Sequence, residues 1–215
     1  LMHGLPNQTL EEALDDLRQA IELAPPHLSW YQLTIEPNTM FAYRPPTLPD
    51  DDELWDIFEQ GHQLLIEAGY QQYETSAYAK QGFQCQHNLN YWRFGDYLAI
   101  GCGAHGKLTF PDGDILRFSK TKHPKGYLRG EYLYEEKNVE KNDRAFEFFM
   151  NRFRLLEAVP KQEFDHYTGL SQSAVKNQID LAIQQNYIVE TLDSWQITEH
   201  GKLFLNELLA LFLDE

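Results

Sequence analysis

Between Cys85 and Trp92 the sequence Cys-Gln-His-Asn-Leu-Asn-Tyr-Trp sets an imidazole, carboxamides, a phenol and an indole side by side, with a thiol at its start. Imidazole can ligate a metal or relay a proton, a carboxamide fixes orientation, and aromatic rings cover a flat ligand face. The set suits a surface that grips a flat, partly apolar molecule. After eight further residues comes Gly101-Cys102-Gly103-Ala104-His105-Gly106, whose glycines let backbone approach a ligand closely. Each group also has a plainer reading. A loop histidine caps or hydrogen-bonds, Tyr91 and Trp92 pack a core, and Cys102 is a small residue between glycines. Cys85 and His87 make a C-x-H pair, which is two metal ligands and no more. The glycine run is too short for a dinucleotide fingerprint and opens no clear helix.

These residues need elements to hold them, and the chain supplies a βα rhythm. Leu1 to Pro6 reads as the tail of a strand and its loop, as in a piece of a longer protein. Thr9 and Glu12 form a capping box for a helix whose apolar residues run from Leu10 to Leu23. Leu28 to Glu36 reads as a strand, followed by a Pro-rich loop from Asn38 to Pro49. Asp50 to Glu53 places negative charge at a second helix start, where the dipole favours it. That helix has Leu54, Ile57, Phe58, Leu64, Leu65 and Ala68 as its buried stripe and Gly69 at its end. Tyr70 to Ala77 and Tyr97 to Ile100 read as further strands. Such alternation predicts parallel βα units with sites at the carboxyl ends of the strands. Segments 36–44, 77–93 and 101–106 then share one rim. Gln32 and Glu36, on or at the end of a strand, sit where site residues belong. The strands are too few to close a barrel.

Residues 107–119 read as a hairpin around Pro111-Asp112-Gly113. The polar stretch 120–142 reads as an irregular linker. From Asp143 the order helix, helix, turn, helix, hairpin, closing helix is that of a winged helix. The predicted organisation is α/β plus α+β: a barrel part with hairpin at 1–119, a linker at 120–142 and a winged-helix-like domain at 143–215.

Composition narrows the functions. The net charge is −15 in 215 residues, which disfavours anionic partners, and 13% aromatic content argues for a folded chain. In 143–215 there are 6 basic against 12 acidic side chains, so the predicted recognition helix from Ser171 to Gln185 has the wrong field for DNA. No apolar run approaches the roughly 20 residues of a membrane span, and no secretory signal is visible. With only Cys85 and Cys102, a disulfide framework is excluded and a reducing cytoplasm is the expected compartment.

The motifs GLPNQT, YQLTIEPNTMF, YETSAYA, CQHNLNYW and YLAIGCGAHG, in this order, resemble the HemN/HemW family of radical S-adenosylmethionine proteins related to oxygen-independent coproporphyrinogen III oxidase. The resemblance runs along essentially the whole chain. It implies a partial (β/α)6 barrel followed by the family's small C-terminal domain. It also implies a 4Fe–4S cluster, S-adenosylmethionine and haem as ligands of the whole protein. His87, Asn88, Tyr91 and Trp92 occupy the HNxxYW pattern of the haem-chaperone branch, which implies haem contact, with His87 as a ligand of the haem iron. Gln32, Glu36, Gly101, Gly103, Ala104 and His105 are the implied contacts of S-adenosylmethionine. The CxxxCxxC loop of the family is absent here, and a cluster needs three thiolates, so radical chemistry is not expected of this chain.

Two functions follow from the resemblance. A haem chaperone would bind haem near His87 and pass it to an acceptor protein. An oxidase would decarboxylate the propionates of coproporphyrinogen III and should present several arginines; the rim loops offer only Arg44 and Arg93. The balance favours the chaperone. An open barrel edge is further expected to promote self-association.

Overall fold

The computed structural model describes residues 1–213, which divide into two compact units, one of residues 1–85 and one from residue 86 onward. In the first, strand β1 (Met2–His3) leads through helix α1 (Leu10–Glu22) to β2 (His27–Ser29) and β3 (Tyr31–Gln32). β1 pairs with β3 in parallel, Met2 opposite Tyr31. The capping box at the start of α1 is complete: Glu12 N–H donates to Thr9 Oγ1 at 3.3 Å and Thr9 N–H to Glu12 Oε2 at 2.8 Å. A short helix α2 (Met40–Tyr43) interrupts the Pro-rich segment before α3 (Asp51–Glu67). A second box, between Asp50 and Glu53, starts α3. Its buried side is Ile57, Gly61 and Leu65, narrower than the stripe read from the sequence, because Leu54, Phe58 and Leu64 are only half-buried. Gly61 is on that side because a Cβ there would lie 2.1 Å from the Trp30 ring.

The expected strand from Tyr70 to Ala77 is instead a hairpin of β4 (Gln71–Glu74) and β5 (Ala77–Ala79). The buried Glu74 carboxylate accepts from Ser76 N–H at 3.2 Å and helps close the turn between them. β5 lies between β2 and β4, antiparallel to both. The parallel arrangement expected for these strands is therefore present only at β1 and β3. Leu17, Leu28, Trp30, Ile57, Leu65, Tyr70 and Tyr78 form the core of this unit.

The second unit opens with α4 (Gln86–Trp92). The strand expected at Tyr97 to Ile100 is reduced to one bridge, Tyr97 to Lys107, and Leu98 and Ile100 face solvent. β6 (His105–Thr109) and β7 (Ile115–Lys120) form the anticipated hairpin, with Gly113 at φ +89° in its turn. The stretch expected as an irregular linker is ordered. It contains α5 (Pro124–Leu128) and β8 (Leu133–Asn138), which completes an antiparallel sheet in the order β6-β7-β8. All six β8 residues are exposed, so no apolar alternation marks the strand in the sequence.

Then follow α6 (Arg144–Arg152), β9 (Val159–Pro160), α7 (Lys161–Thr168), a 3₁₀ turn (Gln172–Val175) running into α8 (Lys176–Gln184), β10 (Ile188–Glu190), β11 (Ser194–Ile197), α9 (Glu199–Leu203) and α10 (Leu205–Ala210). β11 lies between β10 and β9, antiparallel to both. Gly169, at φ +66°, ends α7 in the left-handed conformation that costs glycine least. The core is aromatic: Phe148, Phe149, Phe153, Phe164, Trp195 and Phe212 pack together, with Phe149 and Phe153 stacked at 4.8 Å. The final residues of the expected 143–215 domain, 214 and 215, lie outside the described residues.

Candidate functional site

The segment carrying His87 is a helix, whereas the sequence reads as a loop there. The two turns of α4 are pinned at one buried position, Leu89, and at the exit. Phe94 ends the helix at φ +63°, a conformation that a bulky residue adopts only when its surroundings hold it. They do: Phe94 is 1% exposed and meets Phe148 edge-on at 5.7 Å. The Lys107 ammonium lies 4.2 Å above its ring. Lys107 is itself buried and donates to Phe94 O at 2.9 Å, Asp96 Oδ1 at 2.8 Å and Thr109 Oγ1 at 3.0 Å. Burial pulls its pKa down, and the Asp96 carboxylate opposes that pull. Asn90 Nδ2 donates to Asp96 O at 2.9 Å, so the exit of α4 is tied from both sides.

This anchoring leaves His87 exposed. Tyr91, one helical turn on, presents its ring at 65° to the imidazole, with centroids 4.7 Å apart. Tyr91 stacks in turn on Tyr97 at 4.0 Å and 25°. Thus His87, Tyr91 and Tyr97 form one continuous aromatic surface. Asn88 and Trp92, four residues apart, share a different side of α4. The Trp92 indole is half-buried with the Arg154 guanidinium 5.2 Å over its ring, and its buried Nε1 has no hydrogen-bond partner among the described residues. The four residues expected to touch haem are therefore on one helix but not on one face: His87 meets Tyr91 at 4.7 Å, Tyr91 meets Trp92 edge-on at 6.4 Å, and Asn88 and Trp92 lie on the neighbouring side of the helix.

The glycine run keeps its unusual backbone, with Gly101 at φ +97° and Gly103 at +71°, but much of its donor capacity is used internally. Gly101 N–H donates to the Tyr127 hydroxyl at 3.0 Å, Gly103 N–H to Thr121 O at 3.0 Å and Ala104 N–H to Gly101 O at 3.4 Å. His105 is exposed at the start of β6. Gln32 ends β3 and Glu36 lies four residues beyond it rather than on a strand; both are exposed and belong to the first unit. The Glu36 carboxylate accepts from Thr34 Oγ1 at 3.0 Å.

Cys85 and Cys102 are free thiols in different units. Two thiolates do not make the three that a 4Fe–4S cluster requires, and the described residues contain no group of three or more His, Cys, Asp or Glu arranged to hold a metal ion. The residues present do not fit the cluster.

Sequence reasoning passed over Arg117 and Lys137. Arg117 donates from Nη1 to the Tyr97 hydroxyl at 2.8 Å and pairs with Glu147 through Nε at 3.1 Å and through Nη2. Burial pushes the Tyr97 phenol up, and Arg117 draws it back. Beside this pair a pocket of 370 Å³ opens, lined by Tyr97, His105, Arg117, Glu135, Lys137 and Glu147 among others. The alternating polar positions of β6 and β7 were a signal for a two-sided sheet; their register against β8 was not readable.

A family model of the HemN C-terminal domain matches residues 139–204. The chain is 90% identical over all 215 residues to the haem chaperone HemW of Haemophilus influenzae, covering 56% of that protein. It is 73% identical, again over the whole chain, to haem chaperone HemW of Escherichia coli, covering 57% of it. Among solved structures, the coproporphyrinogen III oxidase HemN of Escherichia coli, a radical SAM enzyme, superposes on 99% of this chain and 53% of its own with a TM-score of 0.75 at 18% identity, a likeness of fold. The chain spans a little over half the length of the curated relatives it matches.

Proposed function

We propose that this chain is part of a HemN/HemW-family protein and forms the tetrapyrrole-gripping part of a haem chaperone that binds haem and delivers it to an acceptor protein, a reading supported by its likeness to the HemW proteins. The observation that supports this most directly is His87. It stands in solvent on an anchored helix with the Tyr91 ring against it, so its lone pair is accessible to iron while the aromatic surface covers part of a macrocycle. Asn88 and Trp92 belong to the same proposal as flanking contacts on the neighbouring side of the helix. The first unit is read as part of a (β/α)6 radical SAM barrel, supported by the parallel β1/β3 pair with α1 in the connection. The order α6, β9, α7, α8, β10, β11 supports a winged-helix module within 143–215. It faces no nucleic acid in this proposal, given its acidic balance.

S-adenosylmethionine contacts remain part of the reading for each unit by itself, at Gln32 and Glu36 in the first and at Gly101, Gly103, Ala104 and His105 in the second. In the glycine run they would be made by carbonyls and by the His105 side chain, since the N–H groups of Gly101, Gly103 and Ala104 are engaged. No step is assigned to the cluster. No helix among the described residues is long and apolar enough to cross a membrane, and we take the cytoplasm as the working compartment on the strength of the two free thiols. The oxidase reading is weaker. Of the two rim arginines, Arg93 is held bidentately by Glu157 at 2.9 and 2.7 Å, which leaves little to grip propionates.

Absorbance titration with haem tests the proposal. The wild type should give a shifted Soret band, and His87→Ala should move or abolish it. His87 is exposed, so the substitution should change stability by no more than about 0.5 kcal/mol, which circular dichroism melting checks. An unchanged spectrum removes His87 as a ligand.

A further inference from the structure

We propose that Tyr97 is a positioning residue for haem capture: its ring is the fixed plate against which Tyr91 is set, and Tyr91 in turn sets the His87 imidazole. This rests on the haem reading above, which assigns no part to Tyr97. Three ring contacts place Tyr91. His87 meets it edge-on at 4.7 Å, Trp92 edge-on at 6.4 Å, and Tyr97 lies nearly parallel to it at 4.0 Å. The contact with Tyr97 is the closest of the three, and it differs in kind. His87 and Trp92 belong to α4 and move with it, whereas Tyr97 lies beyond the helix. A helix of seven residues does not hold its side chains still by itself. The Tyr91 ring therefore takes its position from outside α4.

Tyr97 can supply that position because it is tied at both ends. At the backbone, Tyr97 N–H donates to Lys107 O and Lys107 N–H to Tyr97 O, each at 3.0 Å. At the far end of the side chain, Arg117 Nη1 donates to the Tyr97 hydroxyl at 2.8 Å. Arg117 in turn stands in a row of cations, with Lys107 and Lys137 directly opposite it across the ladder. Like charges so placed repel, and pairing with Glu147 on α6 holds Arg117 where it is. Only 26% and 22% of these two side chains are exposed, so water weakens the pair less than it would at the surface. The contacts thus run from Glu147 through Arg117, Tyr97 and Tyr91 to His87, all within the second unit. Tyrosine at 97 meets two demands at once: a ring for the stack and a hydroxyl for the guanidinium. A ligand that finds Tyr91 and His87 already in place loses less freedom in ordering them.

Haem titration and NMR of the haem-free protein test this together. Tyr97→Leu loses both the stack and the bond, and should bind haem about tenfold more weakly. Tyr97→Phe and Arg117→Lys each lose only the hydroxyl bond, since lysine keeps a charge for Glu147 but not the guanidinium fork. Each should weaken binding about threefold, and the two together no more than either alone. The second readout is the imidazole signals of His87, identified by their loss in His87→Ala. In Tyr97→Leu they should move toward their positions in Tyr91→Leu, and they should move less in Tyr97→Phe. A substitution that merely destabilises a folded chain would not move them in this way. Unmoved His87 signals in Tyr97→Leu, or haem bound as tightly as by the wild type, overturn the role of Tyr97 and leave His87 as ligand. Failure of the wild type to bind haem overturns the haem reading and the role built on it. If Tyr97→Leu does not fold, the other two variants decide: coupled losses support the role, and additive losses or none overturn it.

Discussion

His3 gives the sharpest quantitative test of the first unit. The ring is 2% exposed, lies 4.2 Å from the Trp30 ring, and its Nδ1 has no hydrogen-bond partner among the described residues. Burial without a partner disfavours the charged form and pulls its pKa from 6.5 down to about 4. Between those values the unfolded chain holds a proton that the folded chain does not. Stability therefore rises with pH across this window and falls as the solution is acidified from 6.5 toward 4. At 1.36 kcal/mol per pH unit the full interval is worth about 3 kcal/mol. Urea unfolding at several values from pH 7 to 4, followed by tryptophan fluorescence, measures it. His27, also lowered by burial, adds a slope of the same sign, so the comparison is with His3→Leu. Leucine removes the buried, unpartnered nitrogen and should be near neutral at pH 7. The wild type should lose about 3 kcal/mol more than His3→Leu over the window. Parallel curves for the two proteins would refute the argument, because they would mean that His3 takes up its proton equally well when folded.

Three other outcomes follow from packing. Gly61→Ala brings a methyl to 2.1 Å from the Trp30 ring, which is 3% exposed and cannot retreat; overpacking of this kind should cost about 2 kcal/mol in urea unfolding, and an unchanged midpoint would show that α3 shifts freely. Lys107→Met removes three hydrogen bonds and leaves Phe94 O unpaired in the interior, whereas the Asp96 side chain is 40% exposed and recovers water. The loss should be about 2 to 3 kcal/mol in urea unfolding, below the full penalty of a broken buried pair, and an unchanged midpoint would refute it. The open edge of the two-stranded β1/β3 sheet should drive weak self-association, read by sedimentation as a concentration-dependent mass; a monomer at high concentration would count against it.

Local chemistry was the legible part of this chain. The boxes Thr9–Glu12 and Asp50–Glu53 each need only four consecutive residues, so sequence and structure agree on where α1 and α3 begin. The α7 stop at Gly169 and the hairpin of β10 and β11 are local in the same sense. What failed was whatever depended on partners far along the chain. Between Gln86 and Trp92 there is one buried apolar residue, so little in the sequence marks a helix; α4 packs on α6, and Phe94 at its exit docks against Phe148, more than fifty residues away. The turn splitting β4 from β5 depends on a buried glutamate, and buried glutamates are not inferred from a polar Glu-Thr-Ser run. The helix also decided which site residues meet. His87 and Tyr91 were named from their types, and their contact follows from the α-helical period that the loop reading denied them.

The cationic row explains why the site and the fold are hard to separate here. Lys107, Arg117 and Lys137 are ten and twenty residues apart and acquire their relation only through the register of β6, β7 and β8. Asp96, just past the end of α4, neutralises the first, and Glu147, on α6, neutralises the second. The two carboxylates thereby tie the exit of the His87 helix and the first turns of α6 to the same sheet. Arg117 adds a direct bond to Tyr97, on which Tyr91 rests. A repulsive row that would weaken an isolated sheet thus becomes the reason three elements hold still around it. The rigidity that His87 and Tyr91 need in order to face a ligand comes from this shared electrostatic demand, because α4 itself is only seven residues long and would not persist alone.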